Sequence, residues 1–362
     1  MIPTSIPLSV LDLAPIAEGS DAGDALRNAR DLAAYAEKLG YTRYWMAEHH
    51  SMPSVASAAT AVALAFVGAG TSTIRIGAGG IMLPNHSPLQ VAEQFGTLAS
   101  LYPGRVDLGL GRAPGTDQAA AHAMRRSLNA DVNQFPRDVV ELMAYFHPAE
   151  PNRVRAIPGE GLDVPVWLLG SSTFGAQLAA MLGLPFAFAS HFAPQMMMEA
   201  IAIYRGEFRP SAQQATPHVM LGFNVFAADS DAEGELLATS VQQAIVANRT
   251  GRPGKLPPPA AGYRDTLGLN ERAMIEQFLS SSAIGSPTRV RALLDAFVAK
   301  TGADELMITS QIFDFTARKR SFAILAETMR LERLAARPHR SGEDGIPFAN
   351  FWLRLTNHFS IL

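Results

Sequence analysis

Strand-like and helix-like stretches alternate along this chain from one end to the other, and that order limits the fold more than any other feature. Residues 6–12 read as a first strand. Residues 24–39 read as an amphipathic helix stopped by Gly40, where glycine adopts a left-handed cap without steric cost. Residues 42–47 give a second strand, the Ala-rich part of 54–74 a second helix, and 74–83 a third strand. Apolar residues at helical spacing over 88–101, with Pro88 at the start, predict another helix. Residues 106–110 form a fourth strand, 133–146 a helix, 164–169 an apolar fifth strand, 174–182 a helix and 185–189 a sixth strand. A strand over 219–227, a helix over 231–248, an eighth strand over 306–309 and a helix over 315–334 complete the series. Such alternation belongs to parallel strands joined by crossover helices. About eight repeats without a compositional break predict one α/β domain over 1–337, a (β/α)8 TIM barrel. An open, doubly wound sheet alternates in the same way.

Two segments break the rhythm. Residues 250–285 carry Pro253, three consecutive prolines from Pro257, Gly262 and Gly268, and are long for a connection, so a lid or insertion near strands seven and eight is expected. The tail, 338–362, holds Phe348, Phe351, Trp352, Leu353 and Phe359 and needs a surface on which to dock. Hydrophobic residues make up 48% and charged residues 17%, ample for a core. The chain has no cysteine, which excludes disulfides, thiolate metal sites and a cysteine nucleophile. A net charge of -3 and the lack of a basic run interleaved with aromatics argue against nucleic acid. The uncharged stretches 54–74 and 164–198 are rich in small residues or broken by Gly and Pro, which argues against a membrane span. The first ten residues lack a basic region, so a cytoplasmic location is expected.

In barrels, residues just past each strand form the active face. After the fifth strand, Gly170-Ser171-Ser172-Thr173-Phe174-Gly175 opens a helix, either as an ordinary N-cap or as a cradle in which free N–H groups and the helix dipole hold a phosphate. After the fourth, Gly109-Leu110-Gly111-Arg112 lacks the dinucleotide spacing and leaves Arg112 as a charged fork, suited to a phosphate oxygen or to a surface ion pair. After the second comes Glu48-His49-His50. Neighbours on extended chain face opposite ways, so the two histidines do not share one ligand unless the chain bends, and one of them serves as acid or base or as a structural group. After the third, Gly79-Gly80 offers bare backbone to a flat ligand or simply a flexible strand end. Trp167, Phe188, Phe192, Met196 and Met197 are candidates either for an apolar substrate pocket or for core. A metal-dependent hydrolase using His49, His50 and His86 is a competing class, as is a flavin-binding protein without turnover.

Taken in order, Trp45-Met46-Ala47-Glu48-His49-His50, the segment from Ile76 to Pro84, Pro103-Gly104-Arg105-Val106-Asp107 through Arg112, and the serine-rich turn resemble the bacterial-luciferase-like monooxygenases from about Pro7 to Leu334. The resemblance implies a (β/α)8 barrel that takes reduced flavin mononucleotide (FMN) from a separate flavin reductase, reacts it with dioxygen and oxidises a small organic substrate, with a deazaflavin-dependent hydride transfer as the alternative on the same fold. It implies that His49 is the catalytic histidine, that Arg112 and a second arginine, Arg137, bind the phosphate, and that Ser171, Ser172 and Gly175 wrap it. It places Gly79 and Gly80 at a non-prolyl cis peptide beneath the flavin ring, where the luciferases carry alanines. Gly111 stands where light-emitting members place a reactive cysteine, so light emission is not implied, and a homodimer is the expected assembly.

Overall fold

The computed structural model describes residues 6–112, 123, 134–149 and 153–331. Among them are nine parallel strands: β1 (Leu8–Asp12), β2 (Arg43–Met46), β3 (Arg75–Met82), β4 (Val106–Gly111), β5 (Val166–Gly170), β6 (Phe186–Phe188), β7 (Val219–Ala227), β8 (Ser282–Gly285) and β9 (Glu305–Thr309). Strands β1 to β7 pair in sequence order, β7 pairs with β9, and β9 returns to β1, which closes an eight-stranded barrel. The expected TIM barrel is therefore present, and the open sheet is not. β8 lies outside the ring. It pairs with Asn224 to Ala227 of β7, past the point where β6 ends its own pairing with Leu221.

The surrounding helices are α1 (Ala22–Leu39), α2 (Thr60–Gly68), α3 (Pro88–Leu101), α4 (Phe135–Tyr145), α5 (Thr173–Leu182), α6 (Met197–Glu207), α7 (Asp231–Arg249), α8 (Leu269–Phe278), α9 (Pro287–Thr301) and α10 (Phe315–Met329). Local chemistry sets their limits. Asp21 caps α1 in a capping box with Asp24, Ala25, Ala29, Leu32, Ala33 and Ala36 bury one face, and Gly40 ends the helix at φ 89°. Among the described residues no helix is long and apolar enough to cross a membrane.

Residues 250–285 are not a structureless loop. They form a 3-10 turn (Tyr263–Thr266), α8 and β8, and α9 then crosses back to β9. The tail at 338–362 lies outside the described residues.

Within the ring, β3 and β4 approach closely because glycines of each strand lie against the other's backbone. A Cβ on Gly77 would lie 2.6 Å from the Asp107 carbonyl oxygen, and one on Gly109 would overlap the Ala78 carbonyl. The amino ends of the strands are closed by a buried ionic cluster. Arg43 bridges Asp107 and Glu305, both at 2.9 Å, while Arg75 holds the other Asp107 oxygen at 2.6 Å. Ser9 donates to Glu305, and His218 stands 3.3 Å from its second oxygen. Trp45 and Trp167 meet edge to face above this cluster, with Arg43 over the Trp167 ring.

Candidate active site

The carboxyl ends of the strands surround a cavity of about 440 Å³, the size range of small-molecule sites. Its floor is bare backbone. The Gly79–Gly80 peptide is cis. A Cβ on Gly80 would lie 2.6 Å from the Gly109 carbonyl oxygen, and one on Gly79 would lie 2.8 Å from Leu11 Cδ1. Space, rather than flexibility, explains this glycine pair.

Along one wall Arg112, just past β4, lies over the Phe174 ring at 4.1 Å to the centroid. It forms no ion pair with another described residue. Ser171 and Ser172 stand beside it. Ser172 occupies the N-cap of α5 with extended backbone (φ -143°, ψ 172°), yet its hydroxyl does not cap the helix. The hydroxyl and the first-turn N–H groups therefore remain for an anion. Gly175, in that first turn, lets α5 approach the end of β5, since a Cβ there would already lie 3.4 Å from Gly170 Cα.

Two imidazoles border the cavity from different strands, His49 after β2 and His191 after β6. In both, Nδ1 is buried without a hydrogen-bond partner. Burial pushes the His49 pKa down, against the pull of Glu48 and with the push of His50. Burial, aided by the charge of His49, pushes His191 down to about 4. Both rings are thus neutral near pH 7.

Glu48 is turned away from this pair. Its buried carboxylate lies 2.8 Å from His50 Nε2 and 2.8 Å from His86 Nε2 through Oε1, while Oε2 accepts the Met82 N–H at 3.0 Å. Burial alone would raise its pKa, but the hydrogen bond and charge of His86, with His50 and Met82, hold it below the usual range. These three side chains place ligand-type atoms within 4.8 Å of one another, and His49 is not among them. The competing grouping of His49, His50 and His86 is not what the structure brings together: as expected of extended backbone, His50 goes to Glu48 and His49 to the cavity.

Of the residues expected from sequence, His49, Gly79, Gly80, Arg112, Ser171, Ser172, Gly175, Phe188 and Phe192 line this one cavity. Arg137 does not. It sits on the exposed face of α4, while Phe135 of the same turn reaches the cavity. Trp167 and Met196 do not line it either. Trp167 points inward from mid-strand and packs on Trp45 and His218, Met196 is an exposed N-cap of α6, and Met197 is core. Sequence reasoning missed His191, Gly222, Asn248, Arg249 and Gln311. His191 was findable, because it stands just past a predicted strand as the other site residues do.

Comparison with known proteins agrees with this geometry. The family model of the luciferase-like monooxygenases matches residues 6–305. A luciferase-like monooxygenase of Escherichia coli (strain K12) is 52% identical over 325 residues, 90% of this chain and 97% of its own length. The crystal structure of apo-MsnO8 shares 36% identity at a TM-score of 0.85, over 90% of this chain and 99% of that one. The oxygenating constituent of 3,6-diketocamphane monooxygenase from Pseudomonas putida, a type II Baeyer-Villiger monooxygenase solved with FMN, shares the fold at a TM-score of 0.68 and 15% identity, over 92% of this chain and 100% of that one. The chain belongs to the luciferase-like monooxygenase family and is an enzyme of that class.

Proposed function

We propose that this enzyme binds FMN, in the reduced form supplied by a separate reductase, and uses it with dioxygen to oxidise a small apolar organic substrate. The observation that carries this reading is the meeting, in one cavity, of a guanidinium with no ion-pair partner among the described residues, an unspent helix N-terminus and a floor with no room for side chains. Arg112 and the N–H groups after Ser172 suit a phosphate dianion. The Gly79–Gly80 backbone suits a flat ring laid against it. When bound, reduced flavin supplies the reaction with oxygen, which no side chain of this protein offers.

The remaining residues hold and shield. Val241 and Ile245 from α7, Leu256 and Phe278 border the mouth and keep water out. His49, neutral beside the ring, is placed to hold or release a proton at its cavity edge.

Titration with FMN, riboflavin and a deazaflavin tests the assignment. FMN binds, and Arg112→Ala weakens it about 10- to 100-fold, the cost of one charge-assisted hydrogen-bonded contact, while leaving riboflavin nearly unchanged. Reduced FMN mixed with the protein and then with oxygen reoxidises more slowly than free flavin. Equal loss of FMN and riboflavin affinity, or a preference for the deazaflavin, would overturn the reading.

A further inference from the structure

Much of the cavity lining is apolar, Leu13, Phe192, Val241, Ile245 and Phe278 among it, with Asn248, Arg249 and Gln311 as polar neighbours. His191 borders the same cavity on a rigid mount. Ser190 Oγ donates to the Gly222 carbonyl at 2.7 Å, and Asn224 Nδ2 donates to the His191 carbonyl at 2.7 Å. These two bonds fasten the turn after β6 to β7. The Phe192 ring meets the imidazole edge to face at 4.9 Å.

The orientation of the ring follows from Gly222. His191 Nδ1 rests against this glycine so closely that any Cβ there would overlap it. No acceptor reaches Nδ1. An orphaned N–H is rarer and costlier than an under-used lone pair, so the proton belongs on Nε2, at the far edge of a ring that lines the cavity. Burial and the nearby His49 keep the ring neutral down to about pH 4, so this tautomer persists under ordinary conditions.

We propose that His191 is a specificity-determining residue whose Nε2–H donates a hydrogen bond to an oxygen of the organic substrate, selecting apolar molecules that carry one acceptor over hydrocarbons of the same shape. The proposal rests on the reading of this cavity as the oxidation site. A donor fixed in a largely apolar lining is left unpaired by a hydrocarbon, and that unpaired state is what discriminates.

The test uses shape-matched pairs, cyclic ketones and the corresponding methylenecycloalkanes from six to ten carbons, titrated against the full chain with and without FMN and followed by tryptophan fluorescence, since Trp45 lines the cavity. The quantity read is the ratio of ketone to methylene affinity. This ratio falls about five- to tenfold in His191→Phe, which keeps a ring of similar shape, and is partly regained in His191→Gln, which restores a donor. An unchanged ratio in His191→Phe, or no binding of either partner to the wild type at any size, overturns the proposal. FMN affinity is measured on the same proteins. Failure of the wild type to bind FMN strikes the flavin assignment alone, because the ketone preference is also read without flavin.

Discussion

His49 and His191 come from opposite parts of the chain, yet each is a neutral imidazole with one buried, unpartnered nitrogen. Their neutrality has a consequence for stability. In the unfolded chain His191 takes a proton near its ordinary value of 6.5, whereas in the folded protein it resists until about 4. Protons therefore bind preferentially to the unfolded state across this window. The contribution of a group so depressed is full above pH 6.5 and is lost as the pH falls towards 4, by about 3 kcal/mol in all. Urea unfolding of the wild type and of His191→Phe at a series of pH values measures this share, and the variant should lose less stability between pH 7 and 4.5. Parallel curves would mean that the imidazole titrates normally in the fold. At this scale the residues lining the cavity were largely legible in sequence, because His49, Arg112, Ser171 and Ser172 follow strands, Gly175 opens the next helix, and the Gly79-Gly80 pair stands out within β3. Arg137 was not, since nothing in its position on α4 tells which side of the helix faces the cavity.

The legible elements are those whose local chemistry agrees with their place. The bounds of α3 and β7 follow the apolar pattern and the flanking Ser and Pro closely. α8 and β8 hide for a physical reason. α8 buries only Ile275, so it has no apolar stripe, and β8 is four residues of Ser-Ala-Ile-Gly. α9 carried a usable signal, with Val290, Leu294 and Val298 buried four residues apart and Gly302 in the left-handed region at φ 63°. α6 did too, with Met197, Ala200, Ile201 and Tyr204 at helical spacing. Between elements, the close contact of β3 and β4 depends on glycine. Gly109→Ala would push a methyl into the Ala78 carbonyl and towards Leu169, whose Cδ1 would be 2.8 Å away. Backbone must move to admit it, at a cost of about 1 to 3 kcal/mol or more. A lowered thermal midpoint together with weakened FMN binding is expected, since the Gly80 floor rests on Gly109; a variant as stable as the wild type would show that the strands separate freely.

Taken whole, the barrel divides its labour between its ends. Cavity residues come from the interior of the strands and from the loops after them, whereas the ionic cluster of Arg43, Arg75, Asp107, His218 and Glu305 closes the amino ends. This cluster was not legible in sequence, because Arg43 and Glu305 are 262 positions apart and no spacing rule connects them. Burial would raise the carboxyl pKa of Asp107, but the charges of Arg75 and Arg43 outweigh it and hold the group low. Glu305 is held low in the same way by Arg43, His218 and Ser9. A depressed carboxylate contributes stability that is present above its unfolded value, near 4, and is lost as the pH falls through the folded value. Below about pH 4 acid should therefore withdraw support from the amino end of the barrel, after the loss tied to His191 between pH 6.5 and 4. Glu305→Gln separates the two ends experimentally. It leaves Arg43 with only Asp107, and breaking one side of a buried pair costs about 3 to 5 kcal/mol. Its stability should also fall less steeply below pH 5, because one titrating carboxylate has gone. FMN affinity at pH 7.5 should match the wild type, since no cluster residue lines the cavity. A variant that keeps full stability would show that Asp107 alone neutralises Arg43. A variant that folds well but loses FMN would show that the two ends are coupled through the Trp45 and Trp167 layer between them.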